Sequence, residues 1–135
     1  MDRLNAWAPR VLSLLRLVAA LLFLEHGLMK AFHFPAALPG APDPLPPMLV
    51  AAAWIEIVGG VLLALGLFTR PVAFILSGEM AAAYFMAHAK QGFYPALNGG
   101  ELAVLYCFLF FYLAFAGGGP CSLDEAMRRQ KTATP

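Results

Sequence analysis

Charged side chains are scarce in this sequence. Only 13% of its 135 residues are charged and 61% are hydrophobic, whereas about 25% of residues are charged in an ordinary soluble domain. The formal net charge is +1, so the chain lacks the basic excess that is typical of nucleic-acid binding. These shortages argue against a soluble domain and indicate a membrane protein.

Cysteine is scarce as well. Cys107 and Cys121 are the two cysteines, and no Cys-x-x-Cys pair is present. Along one helix they would stand about 20 Å apart, too far for a disulfide. We therefore expect two unpaired thiols and no disulfide-exchange activity of the usual kind.

Long apolar runs are abundant. Four of them cover about residues 11–31, 48–68, 71–89 and 100–116, and each is close to the ~20 residues that cross ~30 Å of hydrocarbon. The first run exceeds signal-peptide length without an evident cleavage site, so we expect a retained helix. The prediction is an all-α, four-helix transmembrane bundle that occupies residues 1–135 as a single membrane domain.

The segments between and after the runs set the expected topology. Residues 32–47 hold six prolines and are predicted to form an extended outer loop, while the tail, 117–135, contains a short amphipathic helix opened by Ser122-x-x-Glu125. Most basic residues fall on the side of the two termini. The positive-inside tendency therefore predicts that both termini are cytoplasmic.

Three carboxylates interrupt separate apolar runs: Glu25, Glu56 and Glu79. A charge near the bilayer centre is costly unless it faces protein, water or an opposite charge, which makes it a candidate for function. We expect these carboxylates to turn inward and share a polar pocket with His26 and Lys30. Three further residues are predicted at its periphery: Arg16, His88 and Glu101.

Helical spacing refines this pocket. His26 and Lys30 share a helix face, and Glu56 shares one with Gly59 and Gly60, where small residues allow close helix approach. Glu79 and His88 are nine residues apart, about 180° around an ideal helix. They are therefore expected to face different ways.

In these residues the sequence resembles the DoxX family of small four-helix membrane proteins. The matching motifs run in order from Arg10 to Asp124: Arg16, Glu25-His26-Gly27-x-x-Lys30, Glu56-x-x-Gly59-Gly60, Gly66-x-x-Thr69-Arg70, Glu79, His88, Asn98-Gly99-Gly100-Glu101 and Gly117-Gly118-Gly119-Pro120-Cys121-Ser122-Leu123-Asp124. The resemblance implies a multi-pass protein of a bacterial or archaeal cytoplasmic membrane. The family is named after a subunit of an archaeal thiosulfate:quinone oxidoreductase, which implies an association with membrane redox chemistry.

Three functions are compatible with these observations. The first is a redox-linked protein, in the manner of a subunit of a quinone-linked oxidoreductase, that binds a quinone with His26, Glu56 and Glu79 as the candidate ligand-binding residues. The second is a small-solute or proton transporter that acts as a homo-oligomer. The third is a noncatalytic anchor whose cytoplasmic tail docks a soluble redox enzyme. The structural alternative is that buried Glu–Lys, Glu–His or Glu–Arg pairs only fix helix register.

Haem and metal ions are weaker possibilities. His26 and His88 could serve as haem ligands, but their estimated depths in the membrane differ and no haem motif accompanies them. No metal site is expected either, because the histidines and acidic residues do not form a ligand pattern.

Overall fold

The computed structural model describes residues 2–133 and contains helices but, within that range, no strand. Across these described residues, six α-helices follow one another: α1 Asp2–Phe32, α2 Pro47–Leu65, α3 Thr69–Ala83, α4 Pro95–Asn98, α5 Glu101–Ala116 and α6 Leu123–Ala133. A π-helical turn, Tyr84–His88, and a 3-10 turn, Ala89–Gln91, prolong α3. The all-α prediction is confirmed. The ends of the predicted domain, residue 1 and residues 134 and 135, lie outside the described residues.

Three helical stretches are long and apolar enough to cross a membrane: Arg3–Phe32, Pro47–Leu65 and Thr69–Gln91. The fourth apolar helix, α5, has 16 residues, or about 24 Å at ~1.5 Å per residue. It is shorter than the ~30 Å hydrocarbon layer. The helices therefore have the length and composition of a multi-pass membrane protein, while a fourth crossing and the cytoplasmic placement of the termini stay predictions.

The first helix begins nine residues earlier than the predicted start at residue 11. It runs from Asp2 through Pro9, which lies inside it. A proline lacks the N–H that would bond to the carbonyl four residues back, so α1 loses one backbone hydrogen bond at this position. The helix continues through Pro9, and its 31 residues span about 46 Å.

The second helix ends three residues before the predicted boundary at 68. Gly66 has a φ of +68°, in the left-handed region, and Leu67 N–H bonds to the Leu62 carbonyl at 2.9 Å. This is the six-residue bond of a Schellman motif, which ends helices at glycine. Apolar composition alone did not reveal the stop, because Leu67 and Phe68 continue the run.

The chain divides into two units, Met1–Thr69 with Gly118–Pro135, and Arg70–Gly117. In the first, α1 and α2 pack through two glycines. A Cβ on Gly27 would lie 2.9 Å from the Ala53 carbonyl oxygen, and one on Gly60 would lie 2.9 Å from Leu24 Cβ. The helices therefore approach closely where side chains are absent, as is common between membrane helices.

In the second unit, α3 is joined to α5 by a polar contact. Ser77 Oγ donates a hydrogen bond to the Cys107 carbonyl oxygen at 2.8 Å. Along α5, the rings of Tyr106 and Phe110 stack with their centroids 5.3 Å apart. Both rings are buried, so this face of α5 is its interior face.

The tail helix α6 forms where Ser122 predicted a helix start. Glu125 N–H donates to Ser122 Oγ at 3.3 Å, as an N-cap residue requires. The Glu125 carboxylate pairs with Arg128 and Arg129 instead of returning to the Ser122 backbone. Half of the expected capping box is therefore present.

Candidate functional site

A buried ion pair joins the first two helices. Lys30 Nζ lies 2.5 Å from Glu56 Oε1. The Glu56 side chain is 2% exposed and that of Lys30 is 13% exposed. Lys30 stands in the last turn of α1, from which its long side chain extends to Glu56, in the interior of α2. The pair neutralises two charges that would each be costly in hydrocarbon.

The second oxygen of the Glu56 carboxylate, Oε2, has a different environment. Glu56 Oε2 is buried and accepts no hydrogen bond from the described residues. Most buried polar atoms in proteins have a partner, so an orphaned carboxylate oxygen needs an explanation. An ionised carboxylate only accepts hydrogen bonds and an ammonium group only donates them. The pair therefore combines a spare acceptor with a strong donor.

Gly27 provides room beside this carboxylate. A Cβ built at Gly27 would lie 3.0 Å from Glu56 Cβ and 2.8 Å from Ile57 Cγ1. Any larger residue at position 27 would push α1 away from the segment of α2 that carries Glu56. The Gly27-x-x-Lys30 spacing thus lets the two helices close up just where the ion pair forms.

Two other predicted pocket residues lie on α1. His26 is partly buried, and its Nδ1 donates to the Leu22 carbonyl oxygen, 2.9 Å away. Glu25 is exposed, whereas the expectation placed it in the shared pocket. Glu25 is two residues from both Phe23 and Gly27, which are buried, and two residues correspond to about 200° around a helix. Glu25 therefore lies on the face opposite the α2 contact.

The remaining candidates belong to the second unit. Both carboxylate oxygens of Glu79 are buried, His88 is partly buried, and Glu101 is exposed. His88 Nδ1 donates to the Asn98 carbonyl oxygen at 3.1 Å. A pocket that gathers Glu79 with Glu56 stays a prediction.

The π-helical turn changes the expected relation between Glu79 and His88. Spacing on an ideal α-helix predicts that they point in opposite directions. A π-helical turn takes up one more residue than an α-helical one, so the angle between them falls from about 180° to about 80°. His88 thus turns towards the face that carries Glu79. Nothing in the residue types Tyr84–His88 indicated this change of helix type.

Asn98 organises the loop that follows this turn, a role that the sequence did not reveal. Its Nδ2 donates to the Gly92 carbonyl oxygen at 2.6 Å, and its Oδ1 accepts from Gly100 N–H at 2.8 Å. Tyr84 Oη donates to the Phe93 carbonyl oxygen. Asn98 is the last residue of α4, and Gly100 is the residue that precedes α5. In the sequence, the sign of this role is the pair of glycines that follows Asn98, because glycine allows the left-handed turn at Gly99.

Arg16, predicted at the edge of the pocket, closes the end of α2. Its Nη1 donates to the carbonyl oxygens of Leu63 and Ala64, at 2.6 and 3.0 Å. Its Nη2 donates to the Cys121 carbonyl oxygen at 2.8 Å. The last carbonyls of a helix lack partners within the helix, and a cation there also opposes the helix dipole. Arg16 is therefore a structural residue that binds two chain segments to α1.

The tail completes this junction. Asp124 accepts from Phe68 N–H and Thr69 N–H, both at 2.8 Å, so its carboxylate satisfies backbone donors at the start of α3. Ser13 Oγ accepts from Cys121 N–H at 3.1 Å, and Asp124 N–H donates to the Gly66 carbonyl oxygen at 2.9 Å. We call the set Ser13, Arg16, Gly66, Cys121 and Asp124 the polar junction.

A second arginine plays a parallel role in the other unit. Arg70 Nη1 donates to the Phe115 carbonyl oxygen at 2.5 Å and to that of Ala114 at 3.3 Å. These are the last carbonyls of α5, which ends at Ala116. Both arginines of the motifs therefore donate to the last carbonyls of a helix.

No group of three or more His, Cys, Asp or Glu residues able to hold a metal ion occurs within residues 2–133. His26 and His88 each use Nδ1 on a backbone carbonyl.

Comparison with known proteins identifies the family. The family model described as DoxX matches residues 11–89, which is more than half of the chain. The chain belongs to the DoxX family. It is also 51% identical over 129 residues to an "Uncharacterized protein" of Haemophilus influenzae, and the match covers 93% of this chain and 96% of the relative. No solved structure matches the chain significantly.

The DoxX match and the structure together divide the motifs by role. Lys30 and Glu56 lie within the matched region and form the ion pair. Arg16 and Gly66, also within it, belong to the polar junction, and Asp124, outside it, completes that junction. Arg16, Gly66 and Asp124 therefore have structural roles. The Lys30–Glu56 pair differs from them because Glu56 Oε2 accepts no hydrogen bond from the described residues.

Proposed function

We propose that this DoxX protein takes part in membrane redox chemistry by binding a quinone-like molecule at the Lys30–Glu56 pair. The observation that carries the proposal is the buried Glu56 Oε2, which accepts no hydrogen bond from the described residues. A bound hydroxyl group would satisfy it. The site lies between apolar membrane helices, so its ligand would have to be soluble in lipid.

Quinols and quinones suit this combination of groups. A quinol hydroxyl can donate to Glu56 Oε2, and a quinone carbonyl can accept from Lys30, whose ammonium has three donors. One of those donors goes to Glu56 Oε1. Quinone and quinol differ by protons as well as electrons, so a site that handles both needs a group that exchanges protons. Glu56 is that group in this proposal.

His26 has a supporting position in the proposal. Its Nδ1–H is held by the Leu22 carbonyl oxygen, which fixes the ring on α1, one turn before Lys30. The expectation that His26 hydrogen-bonds a quinone oxygen is retained. Ligand binding by Glu79, the third candidate residue, is a separate prediction, and binding at Lys30–Glu56 does not depend on it.

Binding of a short-tailed ubiquinol analogue and of its oxidised form to the purified protein tests the proposal. Glu56→Gln should weaken quinol binding about tenfold, or ~1.4 kcal/mol, as expected for one hydrogen bond to a charged group. Glu25→Gln is the matched control, since Glu25 is exposed, and it should bind as the unaltered protein does. If neither form binds, or if both variants bind normally, the proposal is wrong.

The same variants distinguish the two other candidate functions. A transporter that works as an oligomer should lose proton or solute flux in proteoliposomes on Glu56→Gln even when it binds no quinol. An anchor for a soluble enzyme should keep its partner in the Glu56→Gln variant and lose it when the tail after Pro120 is removed.

A further inference from the structure

The tail helix and the start of α1 lie at the same end of one unit. A Cβ on Gly119 would lie 3.0 Å from the Pro9 carbonyl oxygen, and Cys121 N–H bonds to Ser13 Oγ. The polar junction therefore fixes the beginning of α6 beside residues 9–13 of α1. The exposed side chains of α6 and of the start of α1 therefore lie at the same edge of the membrane-spanning region.

The helix α6 has an apolar face bordered by basic side chains. Leu123 and Met127, four residues apart, lie on one face and are 43% and 40% exposed. The side chains of Arg128 and Arg129 are 70% and 66% exposed. A helix of this kind lies in the membrane interface, with its apolar face towards acyl chains and its basic side chains at the headgroups.

The acidic residues of α6 are already engaged. Asp124 accepts two backbone N–H groups, and Glu125 pairs with both Arg128 and Arg129. Three basic side chains, Arg128, Arg129 and Lys131, stand against the two carboxylates, so the helix keeps a net charge of +1. The helix therefore presents a positive excess to whatever it contacts.

The first turns of α1 add to the same surface. With about 46 Å of length, α1 is longer than the ~30 Å hydrocarbon layer, so part of it lies outside that layer. Its N-terminal part carries Arg3 and Arg10, and the Arg10 guanidinium lies 5.0 Å from the Trp7 ring centroid. Trp7 is 58% exposed, and tryptophan beside basic residues is typical of the headgroup layer.

We propose that α6 and the N-terminal turns of α1 form one lipid-binding surface that recognises anionic phospholipid headgroups. The basic side chains contact the phosphates, while Trp7, Leu123 and Met127 enter the interface. Each basic residue is attracted electrostatically to an anionic surface, and salt screens that attraction. The surface is separate from the Lys30–Glu56 pair and does not depend on quinone binding.

The test uses the full-length protein in nanodiscs of phosphatidylcholine alone and of phosphatidylcholine mixed with phosphatidylglycerol. An environment-sensitive fluorophore is attached to Met127→Cys, with both native cysteines changed to serine. In anionic nanodiscs its emission should shift to the blue and rise several-fold, and salt should reverse the change. The same fluorophore on Thr132→Cys, on the opposite face about 140° away, should not respond.

Charge removal completes the test. Combined Arg128→Gln, Arg129→Gln and Lys131→Gln should abolish the response at position 127, whereas Glu125→Gln, which adds net positive charge, should increase it. Circular dichroism of each variant confirms that the transmembrane helices remain folded. Equal emission from position 127 in neutral and anionic nanodiscs would overturn the proposal, as would a response that survives the triple substitution.

Discussion

Arg16 of α1 and Leu63 of α2 are joined by a 2.6 Å hydrogen bond from the guanidinium to the carbonyl oxygen. Arg16 is 3% exposed, so this bond is made away from solvent. The bond connects a side chain of α1 to the end of the second helix. The other terminal nitrogen of Arg16, Nη2, donates to the Cys121 carbonyl oxygen in the tail. The stability of the first unit should therefore depend strongly on this one residue.

Arg16→Lys should lower the free energy of unfolding by about 2 kcal/mol. Hydrogen bonds to charged groups contribute about 1.5–3 kcal/mol each, and a lysine cannot reproduce the planar fork that reaches both α2 and the tail. Thermal unfolding in detergent measures the change. Arg3→Lys, at an exposed position of the same helix, is the control and should unfold as the unaltered protein does. Equal stability of the two variants would show that the guanidinium contacts are dispensable.

Removing one partner of the Lys30–Glu56 pair should be more harmful than removing both. Breaking a buried pair from one side costs about 3–5 kcal/mol, reduced here because Lys30 is 13% exposed. We expect Glu56→Gln and Lys30→Gln each to destabilise the protein, and the double variant to be more stable than their sum predicts. A double-mutant cycle from unfolding midpoints gives the coupling energy. A coupling near zero would contradict the ion pair.

Substitution of glycine by alanine should have opposite effects on stability at two positions. Gly66→Ala should destabilise the protein by at least about 1 kcal/mol, because a φ of +68° disfavours alanine and its Cβ would lie 2.5 Å from Ser122 Cβ. Gly78→Ala should stabilise it by about 0.5–1 kcal/mol, since Gly78 lies inside α3 with no atom within 4 Å of the added Cβ. Unfolding midpoints of both variants test the pair of predictions.

The tail helix should respond to acid through Glu125. Hydrogen bonds from Arg128 and then Arg129 lower the pKa of Glu125 from 4.5 to about 2. Because the folded pKa lies below the ordinary value, the stabilisation is present above about pH 4.5 and is lost as the pH falls towards 2. The Glu125 carboxyl carbon, followed by NMR, should titrate near pH 2, and added salt should bring the pKa back up. Glu125→Gln should remove this acid dependence from the helicity of α6.

Asn98→Asp should loosen the loop 92–100. The substitution replaces the Nδ2 donor, which lies 2.6 Å from the Gly92 carbonyl oxygen, with an oxygen that repels it when ionised. Leaving a buried acceptor without its donor costs about 1–3 kcal/mol. Amide hydrogen exchange should quicken in residues 92–100 while α1 and α2 keep their protection. Uniform exchange across the chain would indicate a different role.

The helices were predictable because their runs are long and apolar, and the burial of Lys30 and Glu56 was predictable because charges in such runs are costly. The C-terminal end of α2 was not, since Gly66 stops that helix through its backbone conformation while the apolar composition continues. The role of Arg16 depends on contacts with Leu63 and Cys121, which lie 47 and 105 positions further along the chain. No local sequence pattern encodes such contacts. The exposure of Glu25 follows from which face of α1 meets α2, and composition does not specify that face.

The extra residue in the turn Tyr84–His88 has a consequence for how this stretch can change in length. A π-helical turn can lose one residue and become α-helical without breaking the helix, but every position beyond it would then rotate by about 100°. His88 would swing away from the Asn98 carbonyl. Deleting one residue in this segment would therefore rotate the chain that follows without ending the helix. The histidine would then have two discrete orientations, one with the π-helical turn and one without it.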